Sequence, residues 1–237
     1  MQNNTPLQIW QAIISAKNPI LCIDSRFDFD AFGSALALRE VLQKLNINLR
    51  LTYTDVIPER AADFISSEGI EQKLEPSKID FTPHDLLITI DSLDYPRASK
   101  KAEFTPPENI KKVKIDHHDG PIFNADLNYL RPASSSCRLL WEILRANNVE
   151  IDAKAGELLA MGLLTDSGFL QYESVDSTDY RMMADLIDAG VDSSALYWKF
   201  SFNVSLDNFK FIQLVYMNMH LDLENKWAYS FYMHEDV

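Results

Sequence analysis

The chain has 237 residues, of which 46% are hydrophobic and 24% charged, a profile that argues for one or two folded domains and against wholesale disorder. Lysine and arginine number 22 against 35 aspartates and glutamates, a net charge of −13. That field disfavours a long duplex nucleic-acid footprint but leaves short or metal-masked phosphates open as substrates.

Leu7, Trp10, Ile13 and Ile14 sit at helical spacing in the opening segment, and Pro19 ends it. The same segment lacks a basic-then-apolar leader, and no apolar run approaches the ~18–20 residues that span a bilayer. A cytoplasmic protein without membrane contact is expected. Ile20–Ile23 reads as a short buried strand and 31–46 as a helix with a stripe at Leu36, Leu38, Val41, Leu42 and Leu45. A strand over Asn48–Tyr53, a short helix over Pro58–Ser66, and strands over Leu86–Ile90 and Lys111–Ile115 follow. This alternation predicts an α/β fold, a parallel sheet covered by helices. The second half is mostly helical: 135–147, 152–164, 177–189 and 193–202 all show helical periodicity. A further helix from Leu206 and β-rich pieces at 220–223 and 227–233 close the chain. A boundary at 192/193 is expected, with a short helical and β extension beyond it. The two cysteines, Cys22 and Cys137, both lie in apolar stretches, which argues against a disulfide scaffold or a Cys-ligated zinc.

Three buried-looking strands run directly into an aspartate: Ile23-Asp24, Ile90-Asp91 and Ile115-Asp116. In an open parallel sheet the ligand crevice lies beyond the carboxyl ends of the strands. Parallel neighbours would bring these acids to one rim, where a cation is needed to offset their repulsion. Asp28 and Asp30 lie in the turn that follows Asp24. Their i, i+2 spacing can send each carboxylate to a different metal, although Asp30 equally reads as the N-cap of the next helix.

Asp116-His117-His118 is the sharpest local signal. Adjacent histidines after a strand-terminal aspartate allow one imidazole to coordinate metal, the other to face a substrate phosphate, and the aspartate to orient a ring. His84, His220 and His234 read as structural. Asp166 ends an apolar helix before Gly168, a position that on its own also suits a plain helix-terminal loop. Ser134-Ser135-Ser136 precedes a helix with Arg138 in its first turn; hydroxyls, backbone N–H groups and a guanidinium there could hold a phosphate, or simply cap the helix.

Four motifs in this order resemble the DHH phosphoesterase superfamily: 24-DSRFDFDAFGS-34, 91-DSLD-94, Asp116-His117-His118 and 165-TDSG-168. The likeness covers about 19–192 and is nearest the oligoribonuclease and pAp-phosphatase branch. The resemblance implies one metal held by Asp24, Asp28 and Asp91, and a second by Asp30, Asp91, His117 and Asp166, with Asp91 bridging. It implies manganese as the ion, magnesium as the substitute, Asp91 and His118 at the chemistry, and His118 on the substrate phosphate; Ser135 and Arg138, from their place at the next helix, are the further candidates for binding substrate. Asp24 stands where this branch usually has histidine. The family continues into a DHH-associated domain with a Gly-Gly-His loop, whereas no glycine follows Gly190; residues 193–237 are expected to supply a linker helix and part of that domain.

The expected function is two-metal hydrolysis of short oligonucleotides, pAp-like nucleotides or dinucleotides. The alternatives are a non-catalytic metal or nucleotide-binding module and a manganese pyrophosphatase. A homodimer is one assembly that the sequence leaves open.

Overall fold

The computed structural model describes residues 3–58, 61–62, 64–92, 94–99, 104–118, 125–202 and 206–233. Contacts divide the chain into a unit of residues 1–193 and a unit of residues 194–237.

The first unit runs α1 (Pro6–Ile14), β1 (Pro19–Cys22), α2 (Phe29–Lys44), β2 (Arg50–Thr52), β3 (Ile70–Glu71), β4 (Leu86–Ile90), β5 (Lys111–Asp116), β6 (Leu127–Leu130), α3 (Ser136–Ala146), α4 (Ala153–Asp166) and α5 (Ser177–Asp188). Thr5 and Gln8 close a capping box ahead of Pro6, so α1 starts with its first orphan N–H groups satisfied. The strands form one sheet in the order β3-β2-β1-β4-β5-β6, every pair parallel. β1 and β4 are buried along their whole length, which is why each reads as an unbroken apolar run.

The strand order reverses between β1 and β4. From β1 the chain steps outward through β2 and β3, then returns to build β4, β5 and β6 on the other side. Beyond the carboxyl ends of β1 and β4, at such a reversal, is the place where doubly wound sheets bind ligands. Helices α1, α2 and α3 contact β4, β5 and β6. The face bearing Ile20, Cys22 and Leu87 is closed by Ile79, Phe104, Ile110 and the 3-10 turn Tyr95–Ala98.

α2 and α4 pack most intimately, and two glycines permit it. A Cβ on Gly33 would lie 2.5 Å from the Leu158 carbonyl; one on Gly162 would lie 2.3 Å from Cys137 Sγ and 2.8 Å from Asp30 Oδ1.

Some boundaries differ from the sequence reading. α2 begins two residues earlier than expected because Asp28, not Asp30, is its N-cap: the Asp28 carboxylate accepts the Asp30 N–H at 2.7 Å. β3 and β6 are edge strands absent from the prediction. Glu59, Arg60 and Asp63 of the helix expected over Pro58–Ser66 lie outside the described residues; its described part carries a turn in which the Ile65 N–H donates to the Ala61 carbonyl.

The C-terminal unit contains α6 (Ser193–Phe202, beginning at the boundary), α7 (Leu206–Met217) and an antiparallel hairpin of β7 (His220–Asp222) and β8 (Trp227–Tyr229). The Asp222 carboxylate accepts the Asn225 N–H in the turn. α7 buries none of its residues, and Phe211 packs edge-on against Tyr232. Among the described residues no helix is long and apolar enough to cross a membrane.

Gly162→Ala is expected to lower stability by about 1–3 kcal/mol, the usual cost of overpacking a closed core. A urea midpoint indistinguishable from that of the parent chain would contradict the close α2–α4 approach.

Candidate metal centre

The topology delivers the strand-terminal acids to adjacent positions. Asp24 follows β1 by two residues, Asp91 directly follows β4, and Asp116-His117-His118 closes β5, with β4 between β1 and β5. Asp91 has a left-handed backbone, φ 57°, while its N–H still pairs with the Ile115 carbonyl at 3.1 Å. Aspartate tolerates this region better than most residues, and such strain persists where neighbouring structure enforces it.

His117 is the hub. Its Nδ1 lies 3.0 Å from the Ala133 carbonyl, which directs Nε2 inward. Nε2 is 3.3 Å from Asp91 Oδ1, 3.3 Å from Asp166 Oδ2 and 3.9 Å from Asp30 Oδ2. These carboxylates come from three separate elements: the end of β4, the last turn of α4 and the first turn of α2. Burial opposes a charged ring at His117, but the Asp91 hydrogen bond and the carboxylates of Asp30 and Asp91 outweigh it and raise the imidazole to about 10. Burial, with Asp91 and Asp28 adding repulsion, lifts Asp166 to about 6. Burial likewise drives Asp30 well above the usual carboxylate range. The cluster holds more negative charge than its surroundings solvate, and so attracts a cation.

Asp30 is only 1% exposed, and its carboxylate rests on the N-terminus of α3. The Ser136 N–H donates to Oδ2 at 2.6 Å and the Cys137 N–H to Oδ1 at 2.9 Å. The anion that these N–H groups hold is thus a side chain of the protein itself. Ser136 Oγ donates to Asp91 Oδ1 at 3.1 Å, a contact without an obvious signal in the sequence. Of the two readings open for this segment, capping or phosphate binding, the structure shows the partners that the protein itself supplies. Ser135 Oγ caps α3 by accepting the Arg138 N–H at 3.0 Å. Arg138 is buried and committed to Asp176 at 2.9 Å, Asp179 at 3.1 Å and Glu142 at 3.3 Å, a buried clamp between α3 and α5 in place of a phosphate contact. Ser134 Oγ also donates to Asp179.

Asp24 and Asp28 border this cluster. The Arg26 N–H donates to Asp24 Oδ1 at 3.0 Å, and Ser92 Oγ donates to Oδ2 at 3.2 Å. Burial raises both acids, with Asp91 repelling each of them. Among the described residues the tight groups of ligand atoms are Asp91-His117-His118 and Asp30-His117-Asp166; Asp24 and Asp28 lie outside them. His118 is partly exposed, its Nδ1 bonded to Asp116 Oδ1 at 2.8 Å and 3.6 Å from Asp91 Oδ1.

The other histidines sit elsewhere. His84 lies between the Asn18 carbonyl and Arg50, His220 stacks on Tyr229 and Phe231, and His234 is outside the described residues.

Oxygen-rich donors with one or two imidazoles suit a hard or borderline divalent ion such as manganese or magnesium. A pH dependence follows for the metal-free protein. His117, raised from 6.5 to about 10, contributes stability that is complete below 6.5 and lost as pH rises through 10. Asp166, raised from 3.8 to about 6, loses stability in the same direction between those values. In EDTA the melting temperature should therefore fall from pH 5 to pH 9. Manganese should raise it more at the alkaline end, because protons compete for the same ligands. A melting temperature that rises with pH in EDTA would contradict the charge balance described.

A model of the DHH family, N-terminal domain, matches residues 19–163. The probable bifunctional oligoribonuclease and PAP phosphatase NrnA of Streptococcus mutans is 25% identical over 175 residues, covering 71% of this chain and 52% of that protein. The bifunctional oligoribonuclease and PAP phosphatase NrnA of Bacillus subtilis is 24% identical over 176 residues, 73% of this chain and 53% of its own length. The chain thus spans about half the length of the curated relatives it matches. Among solved structures, an exopolyphosphatase-related protein from Bacteroides fragilis superposes with a TM-score of 0.82 at 19% identity, over 92% of this chain and 66% of that one. A putative family II inorganic pyrophosphatase from Methanococcus jannaschii gives 0.61 at 16% identity, over 85% and 66%. At such identities the superpositions speak for the fold. The family match covers most of the chain and coincides with the sheet and the acids at its carboxyl edge, and the chain belongs to the DHH family.

Proposed function

We propose that this chain carries the catalytic centre of a manganese-dependent phosphoesterase acting on short oligonucleotides or pAp-like nucleotides. The observation that supports it is the imidazole of His117 within 4 Å of carboxylates from β4, α2 and α4 at the reversal of strand order. The substrate class is supported by the names of the two relatives above and by a net charge of −13, which opposes long polyanions.

In this reading Asp30, Asp91, His117 and Asp166 hold one ion, Asp24, Asp28 and Asp91 hold the other, and Asp91 is shared. Two ions held there would supply an acidified water and would offset charge on the phosphate oxygens. The chain's own groups then have separable tasks. The Ala133 carbonyl fixes the His117 tautomer that presents Nε2 inward. Ser136 and Ser92 fix the orientation of Asp91 and Asp24 by donating to them. His118, with Nδ1 committed to Asp116, offers Nε2 to a phosphate oxygen.

Side-by-side assays of pAp, pApA, pyrophosphate and single-stranded DNA with Mn²⁺ test the substrate class; release of AMP from pApA or pAp is expected. Turnover of pyrophosphate alone would favour the pyrophosphatase reading, and nucleotide binding without turnover a non-catalytic module. Asp91→Asn keeps a residue that tolerates the left-handed backbone while removing the charge, and should abolish hydrolysis together with Mn²⁺-induced thermal stabilisation. His118→Ala should lower kcat about 10²–10³-fold, as loss of one transition-state donor does, with the Mn²⁺ stabilisation intact. Equal loss of metal binding in both variants would move His118 into the ligand set.

A further inference from the structure

Lys114 is an unusual residue for its place. It lies in the middle of β5, its side chain only 4% exposed, in register with Thr89 of β4 and Asn128 of β6. Three polar residues thus form a row across three neighbouring strands. Burial pushes the Lys114 ammonium down, and Asp116 opposes that push. Stability alone does not account for such a pair, since replacing a buried ion pair by well-packed apolar groups is often neutral or stabilising.

The geometry around Asp116 gives the pair a purpose. Lys114 Nζ lies 3.6 Å from Asp116 Oδ2. The other oxygen, Oδ1, accepts the His118 backbone N–H at 3.1 Å and His118 Nδ1 at 2.8 Å. The two oxygens are therefore occupied from opposite sides, and the carboxylate cannot rotate without losing a partner. His118 Nδ1 has a competing acceptor close by, Asp91 Oδ1 at 3.6 Å. Asp91, His117 and His118 already place ligand atoms within 4.8 Å of one another. A His118 ring released from Asp116 would have a short path into the metal cluster.

The geometry points to Lys114 as a positioning residue: by anchoring Asp116 it holds His118 with Nδ1 as the donor, off the metal ligands and with Nε2 presented to the substrate phosphate. This rests on the role given to His118 above for its consequence in turnover, but the ring's hydrogen bonding can be read without turnover.

The test compares Lys114→Met, Lys114→Arg, His118→Ala and the double variant Lys114→Met/His118→Ala. In long-range ¹H–¹⁵N spectra of the metal-free chain, wild type and Lys114→Arg should show His118 protonated at Nδ1 and bonded, and Lys114→Met should lose that signature. With Mn²⁺ and pApA, Lys114→Met should lower kcat about 10–100-fold, the usual range for residues that orient a site, with KM little changed; its melting temperature should fall, because Asp116 is left buried without its cation. Lys114→Arg should recover most of the loss. The double variant should be no slower than His118→Ala, because Lys114 acts through that ring. An unchanged His118 spectrum in Lys114→Met, or a kcat loss that multiplies with that of His118→Ala, overturns the inference. If Lys114→Met does not fold, Lys114→Gln, uncharged but polar, takes its place with the same expected outcomes. Should wild type turn over none of the phosphate esters, the proposed function falls while the spectra still decide the role of Lys114.

Discussion

Carboxylates gathered beyond the carboxyl ends of neighbouring strands set the terms for the structure around them. Moving ionised acids out of water is unfavourable, and placing them together adds repulsion. The fold offsets this with a graded set of donors. Asp30, the most buried of the cluster, receives two backbone N–H groups from the first turn of α3, where the helix dipole also favours an anion. Asp91 receives a serine hydroxyl and lies against the His117 imidazole. Asp24 receives a backbone N–H and a serine hydroxyl. The charge left over lifts His117 to about 10, so in the metal-free chain a proton stands where a cation is wanted.

The scaffold can be understood as the means of keeping these donors in place. α3 can reach Asp30 only because α2 and α4 approach closely at Gly33 and Gly162; a methyl group at Gly162 would collide with both Cys137 and Asp30. The direction of α3 is fixed in turn from its other side. Arg138 ties its first turn to Asp176 and Asp179 at the start of α5, and Asp179 completes the capping box of α5. Removing the guanidinium would leave a fully buried Asp179 without its cation, one turn from the residues that hold Asp30. The clamp and the site thus meet in the first turn of α3, where Arg138 directly follows Cys137.

Much of this is legible in the sequence, for a physical reason. A parallel strand covered on both faces is a continuous apolar run, so the first acid after it marks both the strand's end and the ligand-binding rim; Asp24 and Asp91 stand out in this way, and Asp116 by the two histidines that follow it. β3, two residues long, and β6, with Asn128 inside it, are too short and mixed to leave such a trace. Asp28 and Asp30 share one loop pattern, and only the three-dimensional placement of α3 decides which caps α2. Arg138 illustrates the limit. A guanidinium one turn into a helix after a run of serines looks the same whether it awaits a phosphate or a carboxylate. Here the deciding partners lie 38 and 41 residues further along the chain. Lys114 is concealed differently, since a lysine among Lys111 and Lys112 reads as an exposed strand edge until the neighbouring strand β6 is known.

The consumption of Arg138 bears on which substrates the proposed site favours. That guanidinium is neutralised internally, Lys114 is paired with Asp116, and Arg26, whose side chain is 70% exposed, lies 4.0 Å from Asp24, so each of these cations already faces a carboxylate. Attraction for a phosphate would then come chiefly from bound metal ions, whose reach in physiological salt is a Debye length of about 8 Å. One phosphate seated at the ions lies inside that distance. Each further phosphate of a long strand, spaced several ångströms along the backbone, would meet a chain with a net charge of −13 instead. Under the proposed function electrostatics would favour short esters over long strands, and that preference should weaken as salt screens the chain's charge.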